Sequence, residues 1–347
     1  MEISEGKAKG IDSVSDKRGF IRAVAMDQRG SLRKALARSK GCTSGMVTRQ
    51  MMEEFKSAVV EVLTPHASGV LLDPEYGLEA SWRKDFGTGL LLAYERSGYD
   101  NTRRGRIPSL LLGWTVRRSM AVGADCIKLR IYYTPFADNW VNLHKKAFVE
   151  RVGAECAHYD IPFFLEFVGY DCQGLSDLEF ARVKPQIVTE SMREFSKDVY
   201  NVDVLNVEIP ADLRFVSGTR SFRGDESTYS LEEVGEHYRQ AAAAAKKPFI
   251  YLSEGVSDSQ FRESLEIAVE EGVNFSGVLC GRATWQDGIP IYAKHGLFGL
   301  KDWLADRSVQ NIEALNKILE GATPWRGVQG TGKLSWAHRF VSAVPMD

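Results

Sequence analysis

The run "VDVLNVEIP" (202–210) reads as a buried strand, yet Asn206 and Glu208 interrupt it two residues apart. Side chains at that spacing project from one face of a strand. "CIKLRIYY" (126–133) has the same form with Lys128 and Arg130, and "PFFLEFV" (162–168) holds Glu166 between Leu165 and Phe167. A charged group in mid-strand costs desolvation energy unless it is paired or used. Lys128 and Glu166 together on adjacent strands therefore favour a reactive site. The bland alternative is structural: Arg130 and Glu208 would form an ion pair across a barrel floor, since buried charges need partners whatever the function.

Other strand-like runs end in comparable residues. The first ends in Asp27, Gln28 and Arg29, and the second in Asp73 and Glu75, where Asp73 before Pro74 could equally cap a turn. The last two, "PFIYLSEG" and "GVLCGRATW", end in Ser253 with Gly255 and in Gly281 with Arg282. Glycines let backbone N–H groups approach an anion and arginine adds a bidentate cation, so these ends predict a phosphate site. Turn glycines beside a surface arginine are the alternative reading.

The elements that must position these residues follow from periodicity. Strand-like runs occur at 23–27, 68–74, 89–95, 126–133, 162–168, 202–210, 248–255 and 277–283. Between them lie amphipathic stretches such as "TRQMMEEFKSAVVEVL", "NLHKKAFVERVGAECAHY", "IVTESMREFSKDV", "LEEVGEHYRQAAAAA" and "SQFRESLEIAVEE". The 75–88 connection, with Gly77 and Gly87, reads as a loop with at most a turn of helix. Eight strand-helix repeats predict an α/β fold, a (β/α)8 TIM barrel with its chemistry at the C-terminal strand ends. A doubly wound sheet would want a glycine-rich phosphate loop after the first strand, where "DQRGSL" stands instead. The expectation is a single barrel domain over 1–347, with its core at about 20–325 and short terminal extensions. Helices around "LFGLKDWLADR" and "NIEALNKILEG" close it, and the tail's "GTGK" lacks the spacing and preceding strand of a phosphate loop.

A formal net charge of −2 over 347 residues supplies no basic excess for nucleic acid or an anionic membrane surface. The arginine pairs at 103–104 and 117–118 read as solvated faces. No apolar run approaches the roughly 18 residues of a membrane span, and "MEISEGKAKGIDSVSD" has no signal-peptide core. Five cysteines without a C-x-x-C pair suit the reducing cytoplasm, with Cys126 and Cys280 as small strand hydrophobes.

The strings "AVAMDQRGSL", "LLDPEYGL", "GADCIKLRIYY", "PFFLEFVGYD", "VDVLNVEIP", "PFIYLSEGVS" and "GVLCGRATW" resemble the class I tagatose-1,6-bisphosphate aldolase family. That family has relatives acting on sulfonated ketose phosphates. The resemblance runs in order from about residue 20 to about 325. It implies an aldehyde-lyase that splits a ketose phosphate into dihydroxyacetone phosphate and an aldehyde, with no metal and no cofactor. A lysine amine condenses with the ketone, and the iminium is the electron sink for C3–C4 cleavage. By motif, Glu166 would shuttle protons, Lys128 would keep the site electropositive, and Asp27 with Gln28 would orient the sugar hydroxyls. Arg29, Ser253, Gly255, Gly281 and Arg282 would hold substrate and phosphate.

The departure is Asn206, where the resemblance calls for the Schiff-base lysine. An amide nitrogen has its lone pair delocalised into the carbonyl and forms no Schiff base. Three explanations stand: an aldolase whose nucleophile has been replaced, a natural relative with lost or altered chemistry, or transfer of the amine's role to Lys128. Glu254 is a second departure, because a carboxylate beside a phosphate loop is unfavourable unless it points away. The expected function is thus an aldolase scaffold that binds a ketose phosphate but is catalytically impaired. A non-catalytic sugar-phosphate binding or sensing protein is the alternative. A metal-dependent lyase or isomerase would have to rely on Asp and Glu ligands, because the six histidines avoid the strand ends. A homo-oligomer is a reasonable expectation for such enzymes.

Overall fold

The computed structural model describes residues 3–98, 105–223 and 225–328. Eight parallel strands close into a barrel: β1 (Ile21–Met26), β2 (Gly69–Leu72), β3 (Gly89–Ala93), β4 (Cys126–Tyr132), β5 (Phe163–Val168), β6 (Val204–Val207), β7 (Phe249–Leu252) and β8 (Gly277–Cys280). Each pairs with its neighbours in sequence, and β8 pairs back onto β1. Every run read as a strand is a barrel strand. A two-residue ladder of Val216–Ser217 with Tyr229–Ser230 lies in the connection after β6.

The helices are α1 (Glu5–Ser13), α2 (Gly30–Lys40), α3 (Arg49–Leu63), α4 (Leu78–Ser81), α5 (Val116–Ala121) and α6 (Asn139–His158). They continue with α7 (Asp177–Phe195), α8 (Leu231–Ala244), α9 (Asp258–Glu270), α10 (Arg282–Trp285), α11 (Gly288–Trp303) and α12 (Val309–Ile318). The 75–88 connection holds only the single turn α4. Helix α7 starts well before "IVTESMREFSKDV", because Ser176 and Glu179 form a capping box and Pro185 is accommodated inside the helix. Among the described residues no helix is long and apolar enough to cross a membrane.

The strands are apolar throughout because both faces are covered. Ala23, Ala25, Leu71, Leu91, Phe164, Val204 and Ile250 fill the barrel interior. Val24, Met26, Val70 and Leu72 face outward onto a layer that includes Phe55 and Trp285, whose rings meet edge to face at 5.8 Å. The N-terminal extension closes the bottom of the barrel: Ile11 and Val14 join the interior cluster. At Gly10 a Cβ would come within 2.5 Å of the Asp125 carbonyl oxygen and of Pro162, so this approach needs glycine. Trp325 is buried in the same cluster and donates to Asp12 Oδ1 at 3.2 Å. The "GTGK" segment and the 103–104 arginine pair lie outside the described residues.

Candidate active site

Four strands bring one lysine and three carboxylates together at the C-terminal end of the barrel. Lys128 Nζ on β4 lies 3.0 Å from Asp27 at the end of β1, 3.2 Å from Glu95 just past β3, and 2.9 Å from Glu166 on β5. Burial alone would push the Lys128 amine down; the three carboxylates outweigh it and hold the group above the ordinary lysine value. Burial likewise opposes ionisation of Asp27, but Lys128 and Arg130 keep its carboxyl well below the usual range. Lys128 is therefore an ammonium at neutral pH. Glu95 also fixes the strand edge, its second oxygen accepting the Arg130 backbone N–H at 3.1 Å.

Asn206 sits opposite Glu166 in the β5–β6 register and is fully buried. Its Nδ2 donates to Glu166 Oε2 at 3.2 Å, and its Oδ1 is buried without a partner. The amide thus turns its N–H to an acceptor oxygen of Glu166 and leaves its own carbonyl oxygen unmatched. Such an acceptor costs about 1–3 kcal/mol.

Above this layer opens a cavity of about 330 Å³ lined by Asp27, Gln28, Arg130, Glu166, Ser253 and Arg282. Ser253 Oγ accepts the Gly281 N–H at 3.4 Å, which joins the ends of β7 and β8. Gly255 has φ +82°, and a Cβ there would collide with the Arg282 guanidinium. At Gly281 a Cβ would stand 3.1 Å from Gln28 Nε2, so a small residue keeps the Gln28 amide in place. The loop thus presents a hydroxyl, glycine backbone and a guanidinium to one wall, the composition of an anion cradle. Arg29 is placed differently. It is buried, with Nη1 on Glu75 at 2.7 Å and Nη2 on the Glu95 carbonyl at 2.7 Å, and it faces a neighbouring lobe instead.

A model of the DeoC/LacD family aldolases matches residues 21–287. The chain belongs to that family. A tagatose 1,6-diphosphate aldolase of Enterococcus faecalis is 44% identical over 328 residues, covering 94% of this chain and 97% of that one. Proteins of the same name from Listeria monocytogenes and Staphylococcus epidermidis are 42% and 43% identical, covering 94% of this chain and 95% and 99% of theirs. A crystal structure from Corynebacterium glutamicum aligns with a TM-score of 0.57 at 14% identity, over 88% of each chain. A Schiff-base-forming fructose-1,6-bisphosphate aldolase aligns at 0.52 and 13% identity, over 89% of this chain and 98% of the other. At those identities the two structures show the shared barrel.

Two expectations change in this aldolase barrel. Arg130 and Glu208 do not pair. Arg130 reaches toward Glu166, with Nε at 4.0 Å. Glu208 lies one step beyond β6 and accepts the Gly169 N–H at 2.6 Å. It shares a hydrogen bond with Glu254, and burial first, then the Glu254 charge, push the Glu208 carboxyl well above its ordinary value. Burial and the Glu254 charge thus favour the protonated form of Glu208, while Lys184 favours the ionised form of Glu254. The second concerns Glu254 itself, which has φ +48° and forms an ion pair with Lys184 of α7 at 2.6 Å, so its charge beside the anion cradle is compensated. Asp73 is both turn cap and ion-pair member: it accepts from Glu75 N and Tyr76 N at 3.0 and 2.8 Å and pairs with buried Lys56.

The strand-end reading omits Glu95, although "GLLLAYE" closes in a carboxylate at the level of Asp27. Lys56 and Lys184 lie on helices, inside amphipathic patterns that treat lysine as a solvent-facing residue. Arg106 and Tyr132, which also line the cavity, carry no local signal that would separate them from loop and strand-end residues.

Proposed function

We propose that this chain binds an open-chain ketose bisphosphate of the tagatose 1,6-bisphosphate kind, and that its Schiff-base cleavage is severely weakened because Asn206 stands at the position of the catalytic amine. The names of its relatives and the composition of the cavity support the substrate. In the full reaction a lysine amine attacks the C2 carbonyl and expels water. The iminium then draws in the C3–C4 bonding electrons as the C4 hydroxyl loses its proton and the aldehyde departs. Glu166, at the cavity floor, is the group suited to carry that proton. Asp27 and Gln28 would hold hydroxyls, while Ser253, Gly255, Gly281 and Arg282 would hold the phosphate next to the ketone.

The observation that carries the reading is the clamp on Lys128. An ammonium held by three carboxylates has no lone pair for the carbonyl, which weighs against transfer of the amine's role to that residue. Lysine at 206 would face Glu166 with Lys128 nearby, and a neighbouring ammonium lowers the pKa of an amine and keeps it nucleophilic. Borohydride reduction in the presence of tagatose 1,6-bisphosphate, read by intact mass, gives no adduct on the unaltered chain, whereas calorimetry detects binding. Asn206→Lys gains both adduct and cleavage. An adduct on Lys128, or an inert Asn206→Lys that still binds, would refute the assignment.

A further inference from the structure

We propose that Glu254 is a positioning residue for the anion cradle: Lys184 of α7 and Glu208 beyond β6 grip its side chain and so fix the turn that places Gly255 and Arg282 for the phosphate next to the ketone. The inference rests on the ketose-phosphate reading and deepens it, because it names what holds that anion site in shape.

The turn joins β7 to α9. The Ser253 carbonyl accepts the Val256 N–H at 3.0 Å, and the two residues between them hold φ +48° at Glu254 and +82° at Gly255. Positive φ at both central positions is the pattern of a type I′ turn, which glycine, asparagine and aspartate dominate. Glycine at 255 fits it. Glutamate at 254 does not, since a side chain with a Cβ is strained in the left-handed region. A local rule broken beside a binding wall needs a contact elsewhere that over-determines the conformation.

That contact is made by the Glu254 carboxylate. Its Oε2 accepts from Lys184 Nζ at 2.6 Å, and the carboxylate shares a hydrogen bond with Glu208. Lys184 and Glu208 are both buried, and Glu208 Oε2 also accepts the Gly169 N–H at 2.6 Å. The cluster therefore ties the ends of β5, β6 and β7 to α7, and Gly169, Glu254 and Gly255 all line the 330 Å³ cavity.

The effect reaches the cradle through the backbone. The Glu254 carbonyl oxygen lies 3.5 Å from Arg282 Nη2, and a Cβ at 255 would collide with the same nitrogen. A turn that drifts moves Arg282 with it. The charges inside the cluster are matched: Lys184 serves Glu254, and Asp212, a further carboxylate near Lys184, pairs with Arg214 at 2.6 Å. Burial favours the protonated form of Glu208, in which its hydroxyl donates to Glu254. Arg282 enters no ion pair among the described residues.

Calorimetry with tagatose 1-phosphate, paired with thermal melting, tests the role on the full chain. In Lys184→Met/Glu254→Gly the positive φ is accommodated and no buried charge is left unmatched, so the melting midpoint is expected to stay within about 5 °C. Affinity is expected to fall about tenfold, because the turn has lost its anchor. Lys184→Met alone should fall by about the same factor, since both variants break one link. Glu254→Gln keeps the reach and an acceptor for Lys184, and should bind within about threefold of the unaltered chain. A double variant that binds as tightly as the unaltered chain, or a Glu254→Gln as weak as the double variant, would overturn the positioning role while the ketose-phosphate reading survives. Affinity lost only together with the folded state would make the cluster structural and overturn the role as well. If neither tagatose 1-phosphate nor tagatose 1,6-bisphosphate binds the unaltered chain, that reading falls and the positioning role with it.

Discussion

Glu166 Oε2 receives the Asn206 amide at 3.2 Å and the Lys128 ammonium at 2.9 Å, two donors from flanking strands on one oxygen. The carboxylate is held from both sides in the plane of the barrel, and its remaining oxygen lies 4.0 Å from Arg130 Nε. The Asn206 carbonyl oxygen is left over. Removing the amide should therefore cost little. Asn206→Leu is expected to change unfolding free energy by less than about 1 kcal/mol in urea titration, since the lost hydrogen bond is offset by loss of the unmatched acceptor. Asn206→Asp sets a second carboxylate against Glu166 and is expected to cost about 2 kcal/mol or more at pH 7, with partial recovery in acid as one of the pair is protonated.

Lys128→Met leaves Asp27, Glu95 and Glu166 without their shared cation. A loss of about 3–5 kcal/mol at pH 7 is expected. The acid limb reports the cause. With its folded pKa depressed below 3.8, Asp27 contributes stability that is present above that value and lost as pH falls through the folded pKa. In the variant that acid-side loss is reduced, so the two stability curves converge at low pH. Curves that stay parallel would exclude Lys128 as the origin of the depression.

Gly255→Ala tests the anion cradle. The residue holds φ +82°, and the added Cβ would meet the Arg282 guanidinium. Strain of about 1–2 kcal/mol is expected in the folded state. Arg282 must also move, so affinity for tagatose 1-phosphate should fall about tenfold or more. Unchanged affinity would remove Arg282 and its loop from the phosphate site.

Lys145 gives a pH signature outside the Lys128 cluster. Its Nζ lies 3.2 Å from the Tyr170 hydroxyl and 4.4 Å from the centre of that ring. Burial first, then the Arg106 charge, push its amine from 10.5 down to about 7. Between those values the unfolded chain holds a proton that the folded chain has released, so stability rises with pH across the window. Lys145→Met should flatten that rise and stabilise the protein by about 1–3 kcal/mol at pH 7, measured by urea titration at several pH values. An unchanged slope would show that Lys145 stays charged in the fold.

Much of the barrel is legible in the chain because a strand covered on both faces must be apolar along its whole length. Eight such runs, each ending in polar residues, have few other uses. Charged residues inside those runs are equally visible: Lys128, Glu166 and Asn206 contradict their surroundings, and the contradiction marks the site. Helical lysines give no such contrast, and for that reason Lys56 and Lys184 escape notice although both are buried.

The amino-acid sequence by itself determined the eight strands, the polar residues at their ends and the amide at 206, because period and burial act along a single strand. Only the tertiary structure decided the partners. Glu95 joins Asp27 and Glu166 on Lys128 because closing the barrel brings the ends of β1, β3, β4 and β5 to one level. Glu208 turns to Gly169 and Glu254 instead of Arg130 because it lies beyond the strand, where the pleat no longer dictates direction. Charge pairing depends on distances of a few ångströms between elements far apart in the chain. Local patterning sets which groups must find a partner, and the closed barrel sets which partner each one finds.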